Sequence, residues 1–294
     1  MPVPLLRAAN HQTGAALPDP WPTLAKSKYA VRFYTPMYAM IAGSPGAGKT
    51  MLALDMAIRM NVPTLYISAD SDEVTMRVRA AAILSGHDQG TIRQVLDYGM
   101  FKEVYGHYLA DLPIKFMFDP SEPSMEDIFN ALEAFKEVDG EMPKLIIIDN
   151  IMNMEIDGNN EWAGMRMASK DLQYLSRKTR ACVVALHHTS EQDPRWITSA
   201  PPASAIQGKI TQLPSMVLTV ASVENQMFVA VVKQRFGDRD PGATNPFRFD
   251  TDFSRGKIWD DPTKVEGTRW LISGTLVNGQ PLSVPANTSS HGGS

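Results

Sequence analysis

Cysteine is nearly absent: Cys182 is the single thiol in 294 residues. No internal disulfide can form, so folding does not depend on an oxidising compartment. Long apolar runs are missing too. No stretch approaches the ~18 residues of a membrane-spanning helix, and the N-terminus lacks the apolar core of a signal peptide. A cytoplasmic protein with no membrane partner is expected. Excess positive charge is also lacking, with 28 Lys and Arg against 32 Asp and Glu for a net charge of −4. That argues against a surface coated with basic charge. It leaves room for nucleic acid in a narrow channel lined by a few cations from each of several subunits. No cluster of nuclease-type metal ligands stands out. What remains, at 44% hydrophobic and 20% charged, is an ordinary globular composition, long enough for a sizeable core.

Against that background, residues 38 to 50 organise the chain. An apolar run from Tyr38 to Ala42 reads as a buried strand, and helical spacing begins at Lys49 with Met51, Leu52, Leu54, Ala57 and Ile58. Between them, Gly43-Ser44-Pro45-Gly46-Ala47-Gly48-Lys49-Thr50 matches G-x-x-x-x-G-K-[ST] in the strand–loop–helix setting of a phosphate-binding loop. Glycines let the backbone turn its N–H groups onto a polyphosphate, and the helix N-terminus adds partial positive charge. Gly43 to Met51 are therefore the candidate nucleotide-binding residues. Lys49 is placed to reach the β- and γ-phosphates, and the Thr50 hydroxyl to ligate Mg²⁺.

Strand and helix patterns then alternate. Strands are expected at 63–68, 114–118, 144–149 and 181–188, with helices after Glu73 up to Gly86, over 89–98, from Ser124 to about Val138, and over 161–179. Residues 99–112 are ambiguous. Ser124 and Asp127 form a capping box with Asp in place of the usual Glu or Gln. After a long polar segment, 189–214, strands alone remain: a hairpin over 217–233 and short strands near 247–249 and 257–259. This pattern predicts one α/β domain over 36–282, a mainly parallel sheet flanked by helices and finished by an antiparallel extension. Residues 1–35, rich in proline and carrying Leu5, Leu6, Trp21 and Phe33, read either as a disordered leader or as an arm that packs on a neighbouring subunit. Residues 283–294 read as a disordered tail.

Four polar positions carry the remaining chemistry. Asp149 ends the aliphatic strand Leu145-Ile-Ile-Ile148, at the sheet edge where α/β folds bind ligands, and fits a carboxylate that holds Mg²⁺ with Thr50. Asp70 ends the strand after the P-loop helix. It reads either as the base for the attacking water or as a helix cap, with Asp72 and Glu73 competing for both roles. His188 ends the next strand and reads as a γ-phosphate sensor, as a DNA contact or as a histidine satisfied by a neighbouring carbonyl. Lys233 and Arg235 point the same way on an extended segment, toward phosphate or simply toward solvent.

Together these residues resemble the RecA-like motor domains of the DnaB-type and RepA-type hexameric replicative helicases, over about Tyr38 to Asp250. Tyr66-Ile-Ser-Ala-Asp70 with Met76-Arg-Val-Arg-Ala80 is similar to the family's strand that ends in a catalytic glutamate, here Asp70. Val183-Val-Ala-Leu-His187-His188-Thr189 is similar to its sensor strand. Val231-Val-Lys233-Gln-Arg235-Phe-Gly237 is similar to the K-x-R-x-G segment that supplies a lysine and an arginine finger to the neighbouring subunit. The resemblance implies a P-loop NTPase fold with ATP and Mg²⁺ at subunit boundaries of a homo-oligomer, expected to be a hexamer. It places Lys49, Asp70, Asp149, His188, Lys233 and Arg235 in catalysis. It also implies single-stranded DNA on loops after Asn153 and Thr189, with Arg166, Lys170, Arg195 and Lys209 as candidate cations and Trp162 and Trp196 as stacking candidates. Residues 1–35 are too short for the family's N-terminal collar, as would suit a phage or plasmid protein. The leading expectation is a DNA translocase or helicase. A filament-forming recombination ATPase and an ATP-switched scaffold are the alternatives. Because Asp70 is one methylene shorter than glutamate, slow turnover stimulated by single-stranded DNA is expected.

Overall fold

The structure is a computed structural model that describes residues 14–118, 122–155, 161–190, 199–260 and the pairs 276–277 and 280–281. Its centre is a nine-stranded sheet in the order β11-β10-β9-β8-β3-β7-β6-β4-β5. β3 (Met37–Gly43), β4 (Thr64–Ser68), β5 (Ile114–Phe118), β6 (Leu145–Asp149), β7 (Cys182–His188) and β8 (Met216–Val223) run parallel. β9 (Gln226–Gln234), β10 (Phe247–Asp252) and β11 (Lys257–Trp259) extend them antiparallel. The expected sheet is the observed one. Residues 15–16 and 34–35 (β1 and β2) form a separate short pair, as do 276–277 and 280–281 (β12 and β13).

The strands sit where they do because they are apolar on both faces. In β6, Leu145 and Ile147 pack into one core cluster and Ile146 and Ile148 into the other, each at most 1% exposed. Successive side chains leave a strand on opposite faces, so an unbroken aliphatic run needs a helix layer on each side. One layer holds α2 (Lys49–Met60) and α3 (Glu73–Ser85), and the other α6 (Met125–Asp139) and α7 (Glu161–Thr179). α4 (Gln89–Asp97) and α5 (Phe101–Leu109) pack on α3. α5 occupies the stretch that sequence left ambiguous. Its single fully buried ring, Tyr105, lies within an aromatic group formed with Phe101, Tyr108 and His87. Ser124 and Asp127 exchange the two hydrogen bonds of a capping box. Cys182 is fully buried, and burial pushes its thiol up to about 12.

Within the N-terminal segment, residues 14–35 pack on the domain itself: Leu17, Trp21, Leu24, Tyr29 and Phe33 join its core. Trp21, at 1% exposure, lies against Phe33 and Phe249, and its indole donates to Asp55 at 3.2 Å. Asp55 also pairs with Arg59, whose guanidinium reaches the Ile258 carbonyl. The short helix α1 (Pro22–Lys26) starts on a proline, which supplies the φ of a first helical turn without wasting an N–H. Proline richness here limits helix length and does not prevent burial. Trp21→Ala is expected to cost about 3–5 kcal/mol by lost transfer energy and cavity formation, read from denaturant unfolding. A dispensable leader would leave the unfolding midpoint unmoved. Leu5, Leu6 and residues 283–294 lie outside the described residues. Among the described residues no helix is long and apolar enough to cross a membrane.

Candidate active site

The site forms at the C-terminal ends of the parallel strands. β3 stops at Gly43, where the chain passes so close to β8 that an added Cβ would meet the Val220 carbonyl oxygen at 2.6 Å. Gly48, at φ +86°, is the N-cap of α2 and offers no capping side chain, so the first N–H groups of a twelve-residue helix stay available to an anion. Ser222 of β8 fastens the loop by donating to the Ala47 carbonyl at 2.8 Å.

Lys49 is 7% exposed. Its ammonium donates to the Gly43 and Ser44 carbonyls, each at 3.0 Å, and to His188 Nδ1 at 3.2 Å. Burial lowers its pKa to about 8, against the opposing pull of Asp149 and Asp70. An ammonium can only donate, so His188 Nδ1 must accept and the imidazole proton belongs on Nε2. Nε2–H then faces the Asn150 side-chain nitrogen at 3.4 Å, a second donor, because Asn150 Oδ1 is taken by the Met152 N–H at 2.9 Å, so this pair makes no hydrogen bond in that tautomer. Burial, then Lys49, keeps the His188 pKa low, so a neutral imidazole with an Nε2–H donor fits this position.

Asp149 ends β6, 1% exposed. Its Oδ2 accepts from the Tyr66 hydroxyl at 2.8 Å, and Thr50 supplies a second hydrogen bond. Burial raises the carboxyl pKa, and these two bonds oppose it. The hydroxyl of Thr50 and the carboxylate of Asp149 thus meet as hard oxygen donors beside the uncapped helix, a donor set that fits Mg²⁺.

The acids after β4 separate into distinct jobs. Asp72 is the N-cap of α3, accepting from the Thr75 N–H at 2.9 Å and the Thr75 hydroxyl at 2.8 Å. Glu73 pairs with Arg77 one turn on. Asp70 does neither, and its charge acts on Lys49, His188 and Asp149. The helix-cap alternative therefore belongs to Asp72.

Lys233 and Arg235 lie elsewhere. Strand register places Lys233 opposite Val217, itself level with Met40, so both cations lie toward the N-terminal ends of the parallel strands. They do point the same way: Lys233 donates to the Thr211 and Gln212 carbonyls at 2.6 and 2.7 Å, and Arg235 to that of Leu213 at 3.4 Å. Burial and the neighbouring Arg235 and Arg239 lower the Lys233 pKa to about 8. Gly237 pins the following turn, since a Cβ there would meet the Tyr29 carbonyl oxygen at 2.5 Å.

Arg166 and Lys170 are exposed on α7. Lys209 falls in a short 3-10 segment, Gln207–Gln212, and its side chain is outside the described residues, as is that of Trp162. Arg195 and Trp196 also lie outside them. Sequence reasoning missed Tyr66 and Asn150. A tyrosine amid a buried strand was the available signal for the first, because a buried phenol needs a partner.

Comparison with known proteins agrees with this geometry. The AAA_25 family model, an AAA domain, matches residues 37–194. The Gene 65 protein of Mycobacterium phage L5 is 33% identical over 237 residues, covering 78% of this chain and 87% of that protein. The Gene 65 protein of Mycobacterium phage D29 is 33% identical over 218 residues, covering 70% and 91%. Among solved structures, a separately determined ATPase domain superposes with a TM-score of 0.70 at 17% identity, over 86% of this chain and 94% of that one. A DnaB-like replicative helicase superposes at 0.69 with 16% identity, over 86% of this chain and 63% of that one. Both establish the RecA-like P-loop NTPase fold. With a P-loop, an acid-tipped β6 and that fold in one domain, the chain belongs to the AAA_25 family of AAA domains and is a P-loop ATPase.

Proposed function

We propose that this ATPase is a motor of the DnaB-like helicase type that assembles head to tail into a ring, expected to be a hexamer. It binds single-stranded DNA and couples ATP hydrolysis to translocation or unwinding. The observation that carries this reading is the separation of the cationic pair from the P-loop. Lys49, Asp149, Asp70 and His188 converge at one end of the parallel strands, while Lys233 and Arg235 sit toward the other. A cation pair that does not reach its own phosphate site can serve a neighbour's. That arrangement needs a heterologous interface, which closes into rings or runs on as filaments.

In this reading the N–H groups from Gly43 to Met51 and the Lys49 ammonium hold the triphosphate. Thr50 and Asp149 hold Mg²⁺, which when bound neutralises charge developing on the phosphates. Asp70 accepts the proton of the attacking water. His188, joined to Lys49 through Nδ1, offers Nε2–H toward the γ-phosphate. Arg166 and Lys170, with Arg195 and Lys209, contact DNA phosphates. Electron microscopy with an ATP analogue and single-stranded DNA separates closed rings from filaments, and a fork-unwinding assay separates a motor from a scaffold. A monomer under both conditions sinks the proposal.

The lowered Lys49 pKa gives a pH prediction. The protonated amine binds phosphate, so binding raises this pKa above its free value of about 8. Nucleotide affinity should therefore be flat below that value and weaken as pH rises through it, by up to about tenfold per pH unit. Fluorescent-nucleotide titration from neutral to alkaline pH reads this, and Lys49→Met should flatten the profile. A wild-type profile that stays level above pH 8 removes Lys49 from the phosphate site.

A further inference from the structure

α7 begins after the segment that follows β6 and leads into β7, so it runs from the catalytic end of the sheet toward the opposite end. Its buried side, including Met165, Leu172 and Leu175, packs on the core. The exposed side has a pattern of its own. Arg166, Lys170 and Arg177 are exposed, and at 3.6 residues per turn they fall within an arc of about 40°. Among the described residues no carboxylate stands within ion-pair reach of these three. Arg59, Arg77, Arg93, Lys115 and Arg255 each have one. Apart from Glu161 at its first position, α7 carries a single acid, Asp171, which lies about 120° round from the centre of the stripe and whose charge interacts with that of Lys170.

Beside the cations lies a second stripe, Met167 and Tyr174, 51% and 56% exposed. Lys178 steadies its lower end, with the ammonium over the Phe129 ring at 4.1 Å and over one face of the Tyr174 ring at 5.8 Å, which leaves the other face for a base. An exposed aromatic flanked by exposed cations matches the chemistry of single-stranded nucleic acid, with phosphates on the cations and a base on the ring. Arg166 to Arg177 spans about 16 Å of helix, enough for several nucleotides. Such a local excess of positive charge in a chain of net −4 is complementary to a polyanion.

We propose that the DNA path continues beyond Arg166 and Lys170 along α7, with Arg177 contacting a backbone phosphate and Tyr174 stacking on a base. The inference rests on the single-strand binding proposed above. Its test is equilibrium binding of a labelled oligo(dT) by the full chain with ATP analogue, over a range of salt. Neutralising one phosphate contact lowers the slope of log affinity against log salt by about 0.7. Arg177→Gln should show that change, and Arg177→Lys should restore the wild-type slope. Tyr174→Ala should weaken binding by about 5- to 100-fold with the slope unchanged. Both side chains are exposed, and an unchanged melting temperature checks folding. An unaltered slope in Arg177→Gln, or unaltered affinity in Tyr174→Ala, overturns the inference and leaves the loop-based reading standing. So does an assembly defect in Arg177→Gln without a slope change, which makes the stripe a subunit contact. Wild-type protein that does not bind oligo(dT) overturns the DNA-binding reading itself.

Discussion

Arg235→Ala is expected to lower ATP turnover by about 10³- to 10⁵-fold while leaving nucleotide binding nearly intact, because an arginine finger acts on charge that develops in the transition state. The argument is positional. Arg235 follows β9 and reaches the Leu213 carbonyl, and the register of β8 and β9 keeps it away from the P-loop end of its own sheet. A finger so placed would act on a neighbour. Lys49→Ala, by contrast, should lose hydrolysis through the site of its own chain. Mixing the two inactive variants then gives a sharper result than either alone. In a head-to-tail assembly, an Arg235→Ala subunit keeps its own Lys49 and can borrow Arg235 from a Lys49→Ala neighbour. Random mixing should restore roughly a quarter of the sites. A mixture as inactive as its components, despite normal assembly, removes Arg235 from the neighbour's site.

The second large effect belongs to Asp70. Asp70→Asn should lower turnover by about 10²- to 10⁴-fold with nucleotide affinity retained, as expected for loss of a general base. Its neighbours provide the controls. Asp72→Asn should act only on stability, through its hydrogen bonds to Thr75, and spare turnover. Glu73→Gln should release only an exposed pair with Arg77, worth under about 1 kcal/mol. Asp70→Glu should match or exceed the parent, because the longer side chain restores reach that a methylene of difference removes. Normal hydrolysis in Asp70→Asn together with an inactive Glu73→Gln would move the base to Glu73.

Much of the site was legible in the sequence because its determinants are local. The phosphate loop needs glycines at fixed spacing between a strand and a helix, and Gly43 to Thr50 state that directly. The strand that presents Asp149 announces itself by four consecutive aliphatics, since only a strand covered on both faces tolerates them. The hairpin 216–234 and the capping box at Ser124 follow from equally short-range rules. Tertiary structure alone decided the rest. Proline content in residues 14–35 described what the backbone could not do, and said nothing of whether Trp21 would find Phe249, over two hundred residues away. Three acids within four residues, Asp70, Asp72 and Glu73, are equivalent as sequence. They became distinct only when the start of α3 chose Asp72 as its cap. The links from Tyr66 to Asp149 and from Lys49 to His188 join residues of different elements, so their existence depended on sheet order. Local spacing fixes which chemistry a chain carries. Which groups meet depends on long-range packing.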